Sequence, residues 1–264
     1  MRLSLLALFC LVTFSGEAFA APCDAPDNRT RVTAGTECLL IRTYGKMGET
    51  GPRTLYVLLH GNHSDGSPGT SMYRVAKPLA EQASANSIAV ALLRPGYNDD
   101  EGNFSTGERS RIDNWTAPVI DAIADAIIRL KDFHKPDRLV LVGHSGGSAV
   151  SGVILGRHPG LADAALLIGC VCDVQTWRVG RSSGTWFSES PSAYIERIPK
   201  TARIIVLAGG GDTVTLPSLS QSYVERLKAS GIEAELLLDD SRSHTSILAS
   251  PLLIESALRL GAIR

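Results

Sequence analysis

The stretch from Arg138 to His158, RLVLVGHSGGSAVSGVILGRH, opens with a short apolar run, Leu139 to Val142, of the kind that forms a buried parallel strand. Gly143-His144-Ser145-Gly146-Gly147 follows, and then a run of small residues, Ser148 to Arg157, that reads as a helix. Strand, Gly-x-Ser-x-Gly, helix is the context in which this motif has mechanical meaning. The serine sits at a sharp turn too crowded for larger neighbours, so glycine is needed on both flanks. The turn lifts Oγ clear of the sheet and aims the N–H groups of the first helical turn towards it. Gly147, Ala149 and Gly152 are expected to let the helix lie close on the sheet.

Outward from this centre, buried strands alternate with amphipathic helices. Before it, Cys38–Thr43, Leu55–Leu59 and Ile88–Leu93 read as strands, after a polar lead-in. Met72, Val75, Ala76, Leu79 and Ala83 fall at helical spacing over residues 71–85. A second helix opens near Thr116, with Pro118 in its first turn, and runs to about His134. After the centre, Ala164–Gly169, Arg203–Ala208 and Ala234–Leu238 read as strands, Ser218–Ala229 as a helix, and His244–Leu260 as the closing helix. This alternation implies the α/β class, with a mostly parallel sheet covered by helices on both faces. Residues 173–201 show no strong period and leave room only for a small cap. One domain spanning residues 21–264 accommodates all of it.

Composition narrows the functions. The chain has 264 residues, 44% hydrophobic content and a formal net charge of −1, with acids and bases interspersed. It carries no basic stripe, so nothing points to nucleic acid. The six histidines are scattered and pair with no carboxylate at ligand spacing, so no metal and no cofactor is expected. Arg2, the apolar run Leu3–Phe14 and Ala18-Phe19-Ala20 have the form of a signal peptide cleaved after Ala20. Its core of about twelve residues is too short to span a bilayer, and Pro22 argues against a lipid on Cys23. The expected product is soluble, without a stable membrane anchor, and periplasmic or secreted.

Cleavage would remove Cys10 and leave Cys23, Cys38, Cys170 and Cys172, an even number that favours disulfides in an exported protein. Pairing Cys23 with Cys38 is simplest, and closing a loop of about 15 residues contributes roughly 3 kcal/mol in the chain-entropy model. Cys170 and Cys172 cannot bridge on a regular strand without a local turn, so crossed pairing with the N-terminal cysteines stays open.

In sheets of this kind ligands bind beyond the carboxyl ends of the strands. Three side chains on that rim fit one chemistry. Ser145 follows one strand, Asp212 follows the next-to-last within Gly209-Gly210-Gly211-Asp212, and His244 follows the last within Ser241-Arg242-Ser243-His244. A serine hydroxyl needs an adjacent base to become a nucleophile. Imidazole suits because it titrates near neutrality, and a carboxylate on its other nitrogen fixes its tautomer. Asp173, after the preceding strand, competes with Asp212 for the carboxylate role.

The elbow Gly143–Gly147, the His60-Gly61 pair after an early strand, and the Asp and His after the last two strands resemble the α/β-hydrolase superfamily over nearly the whole mature chain. The resemblance implies Ser145 as nucleophile, His244 as base then acid, and Asp212 as orienting carboxylate. The backbone N–H groups of Gly146 and Asn62 would form the oxyanion hole. The chain is similar to compact exported hydrolases near the dienelactone-hydrolase and prolyl-oligopeptidase branches. The resemblance names no substrate. The Ser145, Asp212 and His244 order on the rim leads to the expectation of small carboxylic ester cleavage through an acyl-enzyme intermediate, with a peptidase or amidase acting on short peptides, or a non-catalytic binding protein, as the alternatives. His63 is a candidate pocket residue, and Trp177 and Trp186, with Phe187, are candidates for an acyl or aromatic wall. Arg178 and Arg181 either meet an anionic group or are solvated.

Overall fold

The computed structural model describes residues 23, 26–46, 48, 50–181 and 184–263; the signal-peptide reading falls on residues 1–20, outside the described residues. Eight strands form one sheet in the order β1-β2-β4-β3-β5-β6-β7-β8. The strands are β1 (Arg31–Ala34), β2 (Glu37–Lys46), β3 (Thr54–Leu59), β4 (Ser87–Leu92), β5 (Arg138–His144), β6 (Ala164–Ile168), β7 (Arg203–Gly209) and β8 (Glu233–Asp239). β1 and β2 pair antiparallel with their neighbours; from β4 to β8 every pairing is parallel.

The alternation of side chains along the central strands divides the interior into two cores. Leu55, Val57 and Leu59 of β3 face a core shared with α2 (Ala117–His134), α3 (Gly146–Arg157) and α5 (Pro217–Ala229). Tyr56 and Leu58 face the other, filled by α1 (Tyr73–Gln82) and α6 (Pro251–Gly261). The sheet therefore has helices on both faces, as its apolar strand runs require.

Two expectations need correction. The closing helix does not begin at His244: Pro251 takes its first position and the Ser250 hydroxyl accepts from the Leu252 N–H as N-cap, so Thr245 and the short 3-10 turn Ser246–Ala249 precede it. A proline fits the first turn because its missing N–H has no helical partner there anyway. His244 is thus a loop residue. Gly152 does not approach the sheet either: a Cβ there would lie 2.9 Å from Pro191 Cβ, so it makes room for the segment that follows β6. Gly147 does meet the sheet, where a Cβ would run into the carbonyls of Leu59 and His60.

That segment, the expected small cap, holds α4 (Val174–Arg178) and 3-10 turns at Pro191–Ala193 and Ile195–Arg197. It is stitched to the loop before α2: the Phe187 and Ser188 N–H groups donate to the Asp113 carboxylate at 2.7 and 2.8 Å, and Glu189 N–H donates to the Trp115 carbonyl at 2.9 Å. Two disulfides are present, Cys23–Cys38 and Cys170–Cys172. The second forms because Cys170 lies beyond the end of β6, in the turn that Gly169 opens at φ +51°, and not on a strand. Crossed pairing with the N-terminal cysteines is thereby corrected.

Candidate active site

Ser145 sits between β5 and α3 at φ 52°, ψ −118°. A non-glycine residue there is strained, and such strain persists only where the surroundings enforce it. Here they do: Ser145 N–H donates to the Ile168 carbonyl at 2.9 Å, and its own carbonyl accepts from Ser148 N–H at 2.9 Å. The turn leaves the half-buried hydroxyl on the rim, 2.8 Å from His244 Nε2. His244 Nδ1 is 2.8 Å from Asp212 Oδ2. The three residues that the sequence singled out are therefore joined in one hydrogen-bonded chain.

The glycines before Asp212 bring the imidazole to it. A Cβ on Gly209 would strike the Arg242 carbonyl, and one on Gly210 would lie 2.7–2.8 Å from Asp240. With hydrogen there instead, the loop after β8 lies directly on the turn after β7, tied by Gly211 N–H to the Arg242 carbonyl at 2.9 Å. Asp212 is buried, and burial alone would raise its pKa. Hydrogen bonds from His244 and Thr215 outweigh that and hold the carboxyl below its ordinary value. Val214 and Thr215 N–H groups donate to Oδ1 at 2.8 Å each, and Thr215 Oγ1 donates to Oδ2 at 2.7 Å. Asp173 is elsewhere engaged: it caps α4 through Thr176 N–H at 2.9 Å and lies 3.7 Å from Arg226.

His144, the residue before the serine in the elbow, braces the imidazole loop. Its Nε2–H donates to the His244 carbonyl at 2.9 Å. His134 is the last residue of α2 and is buried there. Burial first, then Arg29 at His134 and His244 at His144, pulls both pKa values down to about 4. Unfolding returns each to about 6.5, so in that window the unfolded chain binds protons that the folded one does not. Stability is full above about pH 6.5 and falls as pH drops towards 4, by roughly 2–3 kcal/mol for each histidine. Tm measured against pH should show this decline, and His134→Leu should flatten it; an unchanged slope would sink the assignment.

Asn62 and Gly146 lie side by side: a Cβ on Gly146 would run into Asn62 Oδ1 and lie 2.8 Å from Trp115 Nε1. Among the described residues, neither backbone N–H has a hydrogen-bond acceptor. Unpaired N–H groups near the nucleophile are what an oxyanion hole requires, and a Cβ on Gly61 would lie 3.0 Å from Ser145 Cβ, so the loop carrying Asn62 passes close to the serine. Sequence reasoning missed the two residues that hold Asn62 in place. Trp115 Nε1 donates to its Oδ1 at 3.0 Å, and Arg94 Nη2 donates to the same oxygen at 2.6 Å.

The remaining candidates are mostly occupied with the protein itself. His60 is buried and neutral, Nδ1–H donating to the Gly61 carbonyl at 2.7 Å while Nε2 accepts from Arg94 N–H at 3.1 Å. His63 Nδ1 lies 3.0 Å from Ser67 Oγ, its ring tilted against His60. Trp177 and Trp186 form a row with Trp115, centroids 5.9 Å apart at each step, Trp115 tilted against Trp177 and Trp177 edge-to-face with Trp186. Their faces carry guanidinium groups, Arg181 on Trp177 at 5.5 Å and Arg178 on Trp186 at 4.8 Å, and Trp177 Nε1 donates to the Val214 carbonyl. The row is thus a core that ties the segment after β6 to the turn holding Asp212. Among the described residues no cluster of three or more metal-ligating side chains exists, and no helix is long and apolar enough to cross a membrane.

No curated protein matches the sequence. Solved structures do match. Est1E from Butyrivibrio proteoclasticus, with ferulic acid bound, superposes with a TM-score of 0.66 at 12% identity, covering 87% of this chain and 96% of that one. An acylaminoacyl peptidase from Pyrococcus horikoshii gives 0.64 at 15% identity, with 87% of this chain but 40% of that one covered. An esterase from Pyrococcus furiosus gives 0.64 at 17% identity and 88% coverage of both. These likenesses show the α/β-hydrolase fold. The profile of the prolyl oligopeptidase family matches residues 96–254, more than half of the sequence and including Ser145, Asp212 and His244. On that match the chain belongs to the prolyl oligopeptidase family, serine hydrolases of the α/β-hydrolase superfamily.

Proposed function

We propose that this protein is an exported serine hydrolase that cleaves small carboxylic esters through an acyl-enzyme. The observation that carries the reading is the unbroken hydrogen-bonded chain from Ser145 Oγ through His244 to the buried Asp212. His244 Nε2 takes the Ser145 proton as Oγ attacks the ester carbonyl carbon. The carbonyl oxygen becomes an oxyanion facing the Asn62 and Gly146 N–H groups. Its collapse expels the alcohol, which leaves with the proton held by His244. Water, deprotonated by the same imidazole, then attacks the acyl-enzyme; the acid leaves and Ser145 regains its proton. Asp212 stays ionised throughout, holding Nδ1–H in place.

The ester reading is supported by the Pyrococcus furiosus esterase, whose chain is covered at 88%, and by Est1E, covered at 96%, which binds ferulic acid, a carboxylic acid of the kind that ester hydrolysis releases. The acylaminoacyl peptidase favours the alternative, amide cleavage in short peptides, but over only 40% of its length. Export is supported by the leader-like residues 1–20 and by two disulfides; an intact mass that keeps residues 1–20 would overturn it.

Intact-mass labelling with a fluorophosphonate probe tests the chemistry. One adduct is expected on the wild type and none on Ser145→Ala. A folded wild type that takes no adduct overturns the enzyme reading in favour of a binding protein. Nitrophenyl esters are expected to exceed aminoacyl nitroanilides in kcat/KM by about tenfold or more, since the leaving alcohol needs less protonation than an amine. The reverse order identifies a peptidase.

A further inference from the structure

Arg94 follows β4 and is only 1% exposed. Nη2 donates to the Gly61 carbonyl at 3.0 Å, to Asn62 Oδ1 at 2.6 Å and to the Tyr97 hydroxyl at 3.0 Å. Among the described residues no carboxylate pairs with it. Its guanidinium lies 4.8 Å from the Tyr97 ring centroid, and a second one, Arg111, lies 4.4 Å from the same ring. Arg111 donates to the carbonyls of His63 and Ser67 at 3.0 and 2.7 Å and to Asn98 Oδ1 at 2.7 Å. Two cations thus grip the loop of residues 61–67 through its oxygens.

A buried cation without a counter-ion is costly, and a fold that keeps one for stability alone would do better with an apolar side chain of the same volume. The surroundings show where the charge acts. Asn62 Oδ1 accepts from Arg94 and Trp115, and Nδ2 donates to the Arg111 carbonyl at 2.9 Å. Three of the four bonds that an asparagine side chain can make are filled, so the side chain cannot turn, Oδ1 stays where an added Cβ on Gly146 would meet it, and the Asn62 backbone is anchored with it. The same field is felt next door: burial, then Arg94, holds the His60 pKa well below its ordinary value.

We propose that Arg94 is a positioning residue of the oxyanion hole: through Asn62 it fixes one of the two N–H donors, and its unpaired charge favours the oxyanion over the neutral carbonyl. The inference rests on the serine-hydrolase reading above. It concerns a step in which charge develops, so it predicts an effect on kcat that a residue serving only the fold would not have.

The test is a double-mutant cycle on the full chain, with Arg94→Met, Asn62→Ala and the pair, each assayed on a nitrophenyl ester and normalised to fluorophosphonate-titrated serine. Arg94→Met is expected to lower kcat about 10- to 100-fold, with KM moved by less than about threefold. The Ki of a trifluoromethyl ketone, which forms a tetrahedral adduct on the serine, should rise by the factor that kcat/KM loses. The double variant should lose little more than the worse single one. If Arg94→Met does not fold, Arg94→Lys takes its place in the cycle, because it keeps a charge but loses the planar fork. A kcat per titrated serine within about twofold of wild type, a loss confined to KM, or additive losses in the cycle would overturn the proposal. A wild type that labels while Arg94→Met keeps its kcat defeats this inference alone; a wild type that does not label defeats the hydrolase reading, and this inference with it.

Discussion

Ser145→Ala should lower ester turnover by about 10⁴-fold or more and leave the fold in place. The loss is large because the remaining groups have no nucleophile to activate; what persists is orientation and the N–H pair acting on attack by water. Stability should hold because the strained φ of 52° is imposed by hydrogen bonds of the backbone, which alanine retains. Among the described residues the hydroxyl's one side-chain partner is His244 Nε2, and that ring is 13% exposed, so water can replace the lost contact. The checks are kcat on a nitrophenyl ester and a thermal melt. Activity above about one part in a hundred of wild type, in a sample shown by mass to be free of it, would sink the nucleophile assignment.

Asp212→Asn is expected to cost about 10⁴-fold in kcat, and the hydrogen bonds say how. Oδ1 accepts two backbone N–H donors, Val214 and Thr215. Only the amide oxygen of an asparagine can accept there, so its NH₂ must take the place of Oδ2 opposite His244 Nδ1. Two donors cannot face each other, and the ring gives up the Nδ1 proton. It then carries hydrogen on Nε2, towards Ser145, and cannot receive the serine's proton. Asp173→Asn is the control, because that carboxylate caps α4 and faces Arg226. A kcat lost in Asp173→Asn and kept in Asp212→Asn would reverse the assignment.

The elbow and its rim were legible because each is written in contiguous residues. Strand, Gly-x-Ser-x-Gly and helix need no distant partner to be read, and Asp212 and His244 each follow an apolar run of strand length. The start of α6 was misread because Ile247 and Leu248 continue an apolar pattern that the Ser250-Pro251 start signal interrupts. Arg94 and Trp115 gave no signal at all: an arginine before proline reads as a turn, and a lone tryptophan before a helix reads as core. Their role exists only because the β4 loop, the α2 approach and the β3 loop converge on Asn62, a long-range fact carried by no local pattern. The Cys170–Cys172 bridge was hidden for a smaller reason, since placing β6 one residue longer puts Cys170 next to a strand where it could not turn.

From Cys23 onward, both bridges join cysteines that are consecutive along the chain: Cys23 with Cys38, Cys170 with Cys172. A polypeptide threading amino end first into an oxidising space would present Cys38 to Cys23 long before Cys170 emerges. The next two thiols would then arrive together, with no earlier one left unpaired. For the export proposed above, oxidation in order of arrival would give this connectivity directly, with a thiol oxidant and no isomerase to unscramble crossed pairs.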